Sequence, residues 1–145
     1  MIAVDTNVLV YAHRRDSDYY RRADAALREL AESGSRWAVP WPCLGEFYSI
    51  ATGPRGYDPP SSPDEAIDQI EIWRESPTLA VLGESPATWS VLRTLLLDAK
   101  LRGPRVHDAR IAAICLSHGV RELWTADRDY GRFPALRTRN PLVVA

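Results

Sequence analysis

Asp5 interrupts an apolar run in the opening stretch MIAVDTNVLVYA, with Ile2, Ala3 and Val4 before it and Val8, Leu9 and Val10 after it. Three further carboxylates break their local pattern in the same way. Glu46 has Pro42, Cys43 and Ile50 at i−4, i−3 and i+4, so on a helix it borders an apolar stripe. Asp108 has Ile111, Ala112 and Cys115 at i+3, i+4 and i+7, again the inner face of a helix. Asp127 follows the short apolar stretch ELW and a Thr-Ala step in TADRDY, with Asp129 close behind it. Carboxylates gathered in one place repel and raise one another's pKa. A hard divalent cation removes that penalty, because Mg²⁺ and Mn²⁺ take oxygen ligands, usually a few carboxylates plus waters. A cation held in this way stabilises charge on a phosphodiester and acidifies a water for attack.

Each acid taken singly also has an ordinary use. Asp5 can close an Asx-turn with Asn7. Glu46 can be an early-turn helix acid that complements the macrodipole. Asp108 can be an N-cap or first-turn acid, and Asp127 and Asp129 can be turn residues. What favours the metal reading is that all four breaks fall at strand ends or on inward-tending helix surfaces. Other chemistries lack their parts. His13, His107 and His118 have no zinc-ligand spacing, and neither a Gly-x-Ser-x-Gly elbow nor a Walker-type glycine loop occurs. A phosphatase with Asp5 as nucleophile would need a second acid where Asn7 stands, and a receiver-type domain would need a lysine where only Lys100 is on offer. A module that keeps the acids but only binds RNA or a protein is the rival reading from a different class.

The acids need elements to position them. Residues 1–4 are a short buried strand, and 36–40 (RWAVP), 78–82 (TLAVL), 122–124 (ELW) and 141–144 (PLVV) are further strands. Helical spacing runs over 18–33, from Pro42 through Ala51, over 63–76 behind a Ser62 N-cap, from Pro86 to Ala99, and over 107–118. Gly34, Gly103-Pro104 and Gly119 end helices, and 53–63 (GPRGYDPPSSP) is the longest irregular piece. Helices alternating with unbroken apolar strands predict an α/β fold of three layers, with a parallel sheet of about five strands between helices. In such sheets ligands bind outside the carboxyl ends of the strands, where Asp5 stands.

The 145 residues suit one domain, and 46% hydrophobic content can supply a core. The net charge of −1 decides nothing about nucleic acid, but Lys100 is the only lysine among 18 basic residues, and arginine is the better fork for phosphate. Arg14, Arg15, Arg55, Arg105, Arg110, Arg128 and Arg132 fall near the acids in sequence. Cys43 and Cys115 read as buried thiols of a cytoplasmic protein. No apolar stretch has the length of a membrane span and none has the pattern of a signal peptide. The five tryptophans read as core.

Nearly end to end, the chain resembles a PIN-domain ribonuclease, and within that family the VapC toxins of bacterial VapBC toxin–antitoxin pairs. The resemblance rests on VDTNVLVYA at the start, CLGEFYSIAT around Glu46, HDARIAAICLSHG, and LWTADRDYGRFPALRTRNPL at the close. It implies a single PIN domain over 1–145 and Mg²⁺- or Mn²⁺-dependent cleavage of RNA. It implies Asp5 and Asp108 as primary metal ligands, with Glu46 and Asp127 completing the set and Asp129 contributing through water. Thr6, Asn7 and Thr125 match positions that steady the acids by hydrogen bonds. The resemblance also implies a homodimer and a VapB-like antitoxin that inserts a segment into the acidic cleft.

Overall fold

A computed structural model of the protein describes residues 1–143. The short apolar runs form β1 (Ile2–Val4), β2 (Trp37–Pro40), β3 (Leu79–Leu82) and β4 (Glu122–Trp124), and β5 is Thr138–Arg139. All pair in parallel in the order β3-β2-β1-β4-β5. β1 lies at the centre, with Ile2 opposite both Trp37 and Glu122.

The helices are α1 (Thr6–His13), α2 (Tyr20–Glu32), α3 (Trp41–Thr52), α4 (Pro63–Arg74), α5 (Pro86–Ala99) and α6 (Val106–Ser117). The chain moves outward from β1 through β2 to β3, then crosses back to β4. Right-handed crossovers therefore put α1 to α4 on one face and α5 and α6 on the other. The contacts agree: α1 packs on α2 and α3, α3 on α4, and α5 on α6. Both faces of the central strands are thereby sealed, and Ala3, Val4, Trp37, Val39 and Leu123 are buried with Val8 and Leu9 of α1 and Ile114 and Cys115 of α6.

Local chemistry fixes the ends of these elements. Ser62 and Glu65 close a reciprocal capping box on α4, with Pro63 at its first position. At the end of α6, Gly119 (φ +70) donates to the carbonyl of Leu116 and Val120 to that of Cys115. This Schellman turn needs a left-handed residue, and it returns the chain into β4.

Four expected strands and the five expected helices are present. The strand expected at 141–144 is not: Pro141 and Leu142 lie in a turn, and the strand beside β4 is the exposed pair Thr138–Arg139 (Val144 lies outside the described residues). Leu142 is buried, but its backbone N–H goes to Asn140 Oδ1 at 2.9 Å rather than to a ladder. Trp37 and Trp124 are core, as expected, whereas Trp41 and Trp89 are 51% and 60% exposed. No helix among the described residues is long and apolar enough to cross a membrane.

Candidate functional site

The strand order reverses between β1 and β4, and in such sheets the place outside the carboxyl ends of those strands is where ligands bind. Asp5 is the first residue past β1 and also the N-cap of α1, so one residue ends a strand and starts a helix. Thr125 is the first residue past β4, and Asp127 begins the 3₁₀ turn Arg128–Arg132. Glu46 comes in from the middle of α3, and Asp108 from the first turn of α6.

A polar network stitches the two strand ends together. Asp5 is only 5% exposed, yet both of its oxygens are served. Oδ1 accepts from Thr6 N at 2.8 Å and from the Cys43 thiol at 3.6 Å. Oδ2 accepts from Thr125 Oγ1 at 2.8 Å and from Asn7 Nδ2 at 3.3 Å. Thr125 Oγ1 is the hub, because it also accepts from Asn7 Nδ2 at 3.1 Å and from Asp127 N at 3.0 Å. Asn7 Oδ1 takes the N–H of Ala126 at 3.0 Å. Thr6 reaches the other way and donates Oγ1 to Glu46 Oε2 at 2.8 Å. Asp5 and Glu46 thus share Thr6, while Asp5 and Asp127 share Thr125.

Over this floor, Asp108, Asp127 and Asp129 offer carboxylate oxygens that all lie within 4.8 Å of one another. The electrostatics show how closely the five acids converge. Burial pushes the Asp108 carboxyl up to about 6, helped by the charges of Asp127, Asp5, Asp129 and Glu46. Asp5 is also raised, first by its burial and further by Glu46, against the pull of its hydrogen bonds from Thr125 and Thr6.

The structure therefore brings Asp5, Glu46, Asp108 and Asp127 to one crevice, as their sequence positions lead one to expect. Asp129, a peripheral member by sequence, joins Asp108 and Asp127 in the trio, while Asp5 is buried with both oxygens engaged. Thr6, Asn7 and Thr125 make the steadying bonds anticipated for them. The thiol bond from Cys43 was not anticipated; the only hint was its place three residues before Glu46 on the inner face of α3. Arg14 and Arg15 are not at this edge, since they follow α1 at its far end.

An all-carboxylate, partly buried donor set fits a hard divalent cation. The soft donors nearby do not compete for it. Burial holds the Cys43 thiol well above its usual range and pushes Cys115 up to about 12, so both stay protonated.

Comparison with known proteins gives the family. The family model described as PIN domain matches residues 2–136. "Ribonuclease VapC43" of Mycobacterium tuberculosis is 33% identical over 142 residues, which cover 98% of this chain and 96% of that protein. "Ribonuclease VapC48" of the same organism is 32% identical over 138 residues, with 94% of each chain covered. Among solved structures, a chain of VapBC2 from Rickettsia felis, bound to a DNA fragment from their promoter, superposes with a TM-score of 0.68 at 23% identity, covering 97% of this chain and 98% of that one.

Proposed function

Because the chain belongs to the PIN-domain family, we propose that it is a ribonuclease that hydrolyses RNA phosphodiester bonds with a Mg²⁺ or Mn²⁺ ion held by the acids at the carboxyl ends of β1 and β4. The observation that carries the reading is the trio Asp108, Asp127 and Asp129, with oxygens within 4.8 Å of one another above the buried Asp5. So much like charge in one crevice destabilises the metal-free fold, and it makes chemical sense as a cation seat. Curated relatives that match almost the whole chain carry the name ribonuclease, which supports the same activity here.

Asp108, Asp127 and Asp129 would hold the ion, with Glu46 and Asp5 completing the negative field. A divalent cation in that seat supplies charge neutralisation for the scissile phosphate and a water acidified for in-line attack. The remaining work belongs to the chain. Thr125 fixes Asp5 and the backbone of Asp127 in one geometry, and Thr6 fixes Asp5 relative to Glu46. These bonds preorganise the carboxylates, so no reorganisation is needed when charge develops on the phosphate. The reaction needs no protein nucleophile.

A toxin-antitoxin complex from Klebsiella pneumoniae shares this fold, which supports a small antitoxin as the regulator here and this chain as the toxic half of the pair. A cationic side chain from such a partner would satisfy the same acids. Exposed Trp41, Trp89 and Leu97 provide apolar surface of the kind a homodimer covers. The two free buried thiols suit the reducing cytoplasm.

The test is digestion of RNA by the purified protein in Mg²⁺ or Mn²⁺, with EDTA and Asp5→Asn as controls. Cleavage that both controls abolish is the expected result. Mn²⁺ binding without any cleavage would favour a silent binding module, and cleavage undiminished by EDTA would refute the metal chemistry.

A further inference from the structure

An acidic crevice repels the polyanion it must cut, so cations have to draw RNA across it. Several arginines stand near the crevice, and the structure separates them into two kinds. Arg110 of α6 is committed: its guanidinium donates twice to Glu84, through Nε at 2.8 Å and through Nη2. Arg102, Arg105, Arg128 and Arg132 are exposed, and among the described residues none of them makes an ion pair or a side-chain hydrogen bond. Such freedom beside so many carboxylates leaves the four guanidiniums available to another anion.

Their placement is informative. Arg102 and Arg105 flank the 3₁₀ turn Gly103–Arg105 that leads into α6. Arg105 has helical backbone angles (φ −65, ψ −14) and stands three residues before Asp108. Neighbours at that spacing have Cβ atoms about 5–6 Å apart. Arg128 and Arg132 belong to the 3₁₀ turn that carries Asp129 and follows Asp127. That turn packs on α6, which brings Asp127 and Asp129 beside Asp108 in the first turn of that helix. Two exposed, unpartnered arginine pairs therefore belong to the two turns beside the acids, one pair to each.

The geometry points to these turns as backbone grips for single-stranded RNA: Arg102 and Arg105 hold phosphates on one side of the scissile bond, Arg128 and Arg132 hold them on the other, and Arg110 takes no part. The inference rests on the ribonuclease reading above and adds which cations deliver the substrate. Arginine suits the task because its planar fork pairs with phosphate in two bonds. A grip on phosphates positions the strand without reading sequence.

Two measurements test it. In the Asp5→Asn background, binding of a fluorescent single-stranded oligoribonucleotide is followed as salt is raised. The double substitution Arg105→Gln with Arg128→Gln should weaken binding several-fold and lower the slope of log Kd against log salt by about 0.7 for each lost phosphate contact. Lysine at both positions should restore the slope, and Arg110→Gln should leave it unchanged. In the otherwise wild-type chain the glutamine pair should raise KM and leave kcat and Mn²⁺ affinity in place. A glutamine pair that binds like its parent, or an Arg110→Gln variant that loses as much slope, would overturn the assignment while leaving the ribonuclease reading intact. A parent chain that neither binds nor cleaves RNA would overturn that reading itself.

Discussion

Helix α1 joins two polar sites that use charge in opposite ways. At its start, Asp5, Thr6 and Asn7 tie into Thr125 and Glu46, and the charges of Asp127, Asp5, Asp129 and Glu46 all bear on Asp108. At its end, Arg14 and His13 are each fully engaged. Arg14 donates to both oxygens of Asp16 at 3.0 and 2.7 Å, to the carbonyl of Pro59 at 2.8 Å and to Ser61 Oγ at 3.1 Å, and it lies over the Tyr57 ring. His13 sits between Gln69 at 3.1 Å and Ser61 at 2.9 Å. A cleft of about 580 Å³ lies beside this second site. The cleft alone does not make it a site of chemistry: Arg14 and His13 are spent on tying the 53–62 loop to α1, and no carboxylate cluster among the described residues lies there. Unpaired charge that is costly to keep is the better mark of function. The far end of α1 is a clasp; the near end is a cluster of carboxylates that repel one another.

Substitutions can break this contrast, and the largest effect belongs to the near end. Asp108→Asn should lower RNA cleavage by on the order of 10³-fold. In EDTA the same variant should melt no lower than the parent, because it removes a repelled carboxylate rather than a bond. Next comes Thr125→Val, which takes the shared hydroxyl from Asp5, Asn7 and Asp127. It should cost about 1–3 kcal/mol of stability, read by urea unfolding, and about 10–100-fold in activity.

pH sharpens the contrast. The Asp108 carboxyl is raised to about 6, above its ordinary value of 3.8, so its contribution to metal-free stability is full at low pH and is lost as pH rises through that window. The cation binds the charged form, so the thermal shift on adding Mn²⁺ should be small at pH 5 and large at pH 7. At the other end of α1, Arg14 holds the exposed Asp16 carboxyl below its usual range, so its small contribution runs the other way and fades only in acid. The smallest effect on activity is expected from Arg14→Ala. It should cost about 1–3 kcal/mol through the loop it clasps, with kcat on RNA unchanged.

Much of this arrangement is legible in the amino-acid order. β1, β2 and β3 are unbroken apolar runs, as suits strands that helices cover, and Asp5 stands out as the polar residue that ends such a run. β5 has no such signature: Thr138 and Arg139 are exposed, so pairing with β4 rather than burial defines them. The apolar stretch after Asn140 drew the strand assignment instead, although Leu142 enters the core from a turn. Exposed Trp41 and Trp89 mislead for the converse reason, since a helix stripe does not say which of its members lie at the rim. Asp129 looked secondary because sequence shows it only as a neighbour of Asp127. Its place depends on the 3₁₀ turn, where its N–H donates to Asp127 Oδ1 at 2.8 Å and the turn packs against α6. Which arginines are free is likewise a matter of side-chain partners, and Glu84, the residue that occupies Arg110, is 26 positions away.

The most direct measurement is anomalous diffraction from crystals of the wild-type protein grown with Mn²⁺. A peak about 2.1 Å from carboxylate oxygens of Asp108 and of Asp127 or Asp129, lost in the Asp108→Asn protein, is the expected result. Full RNA hydrolysis by crystals' worth of the same protein preparation with no manganese at those oxygens would contradict the cation seat.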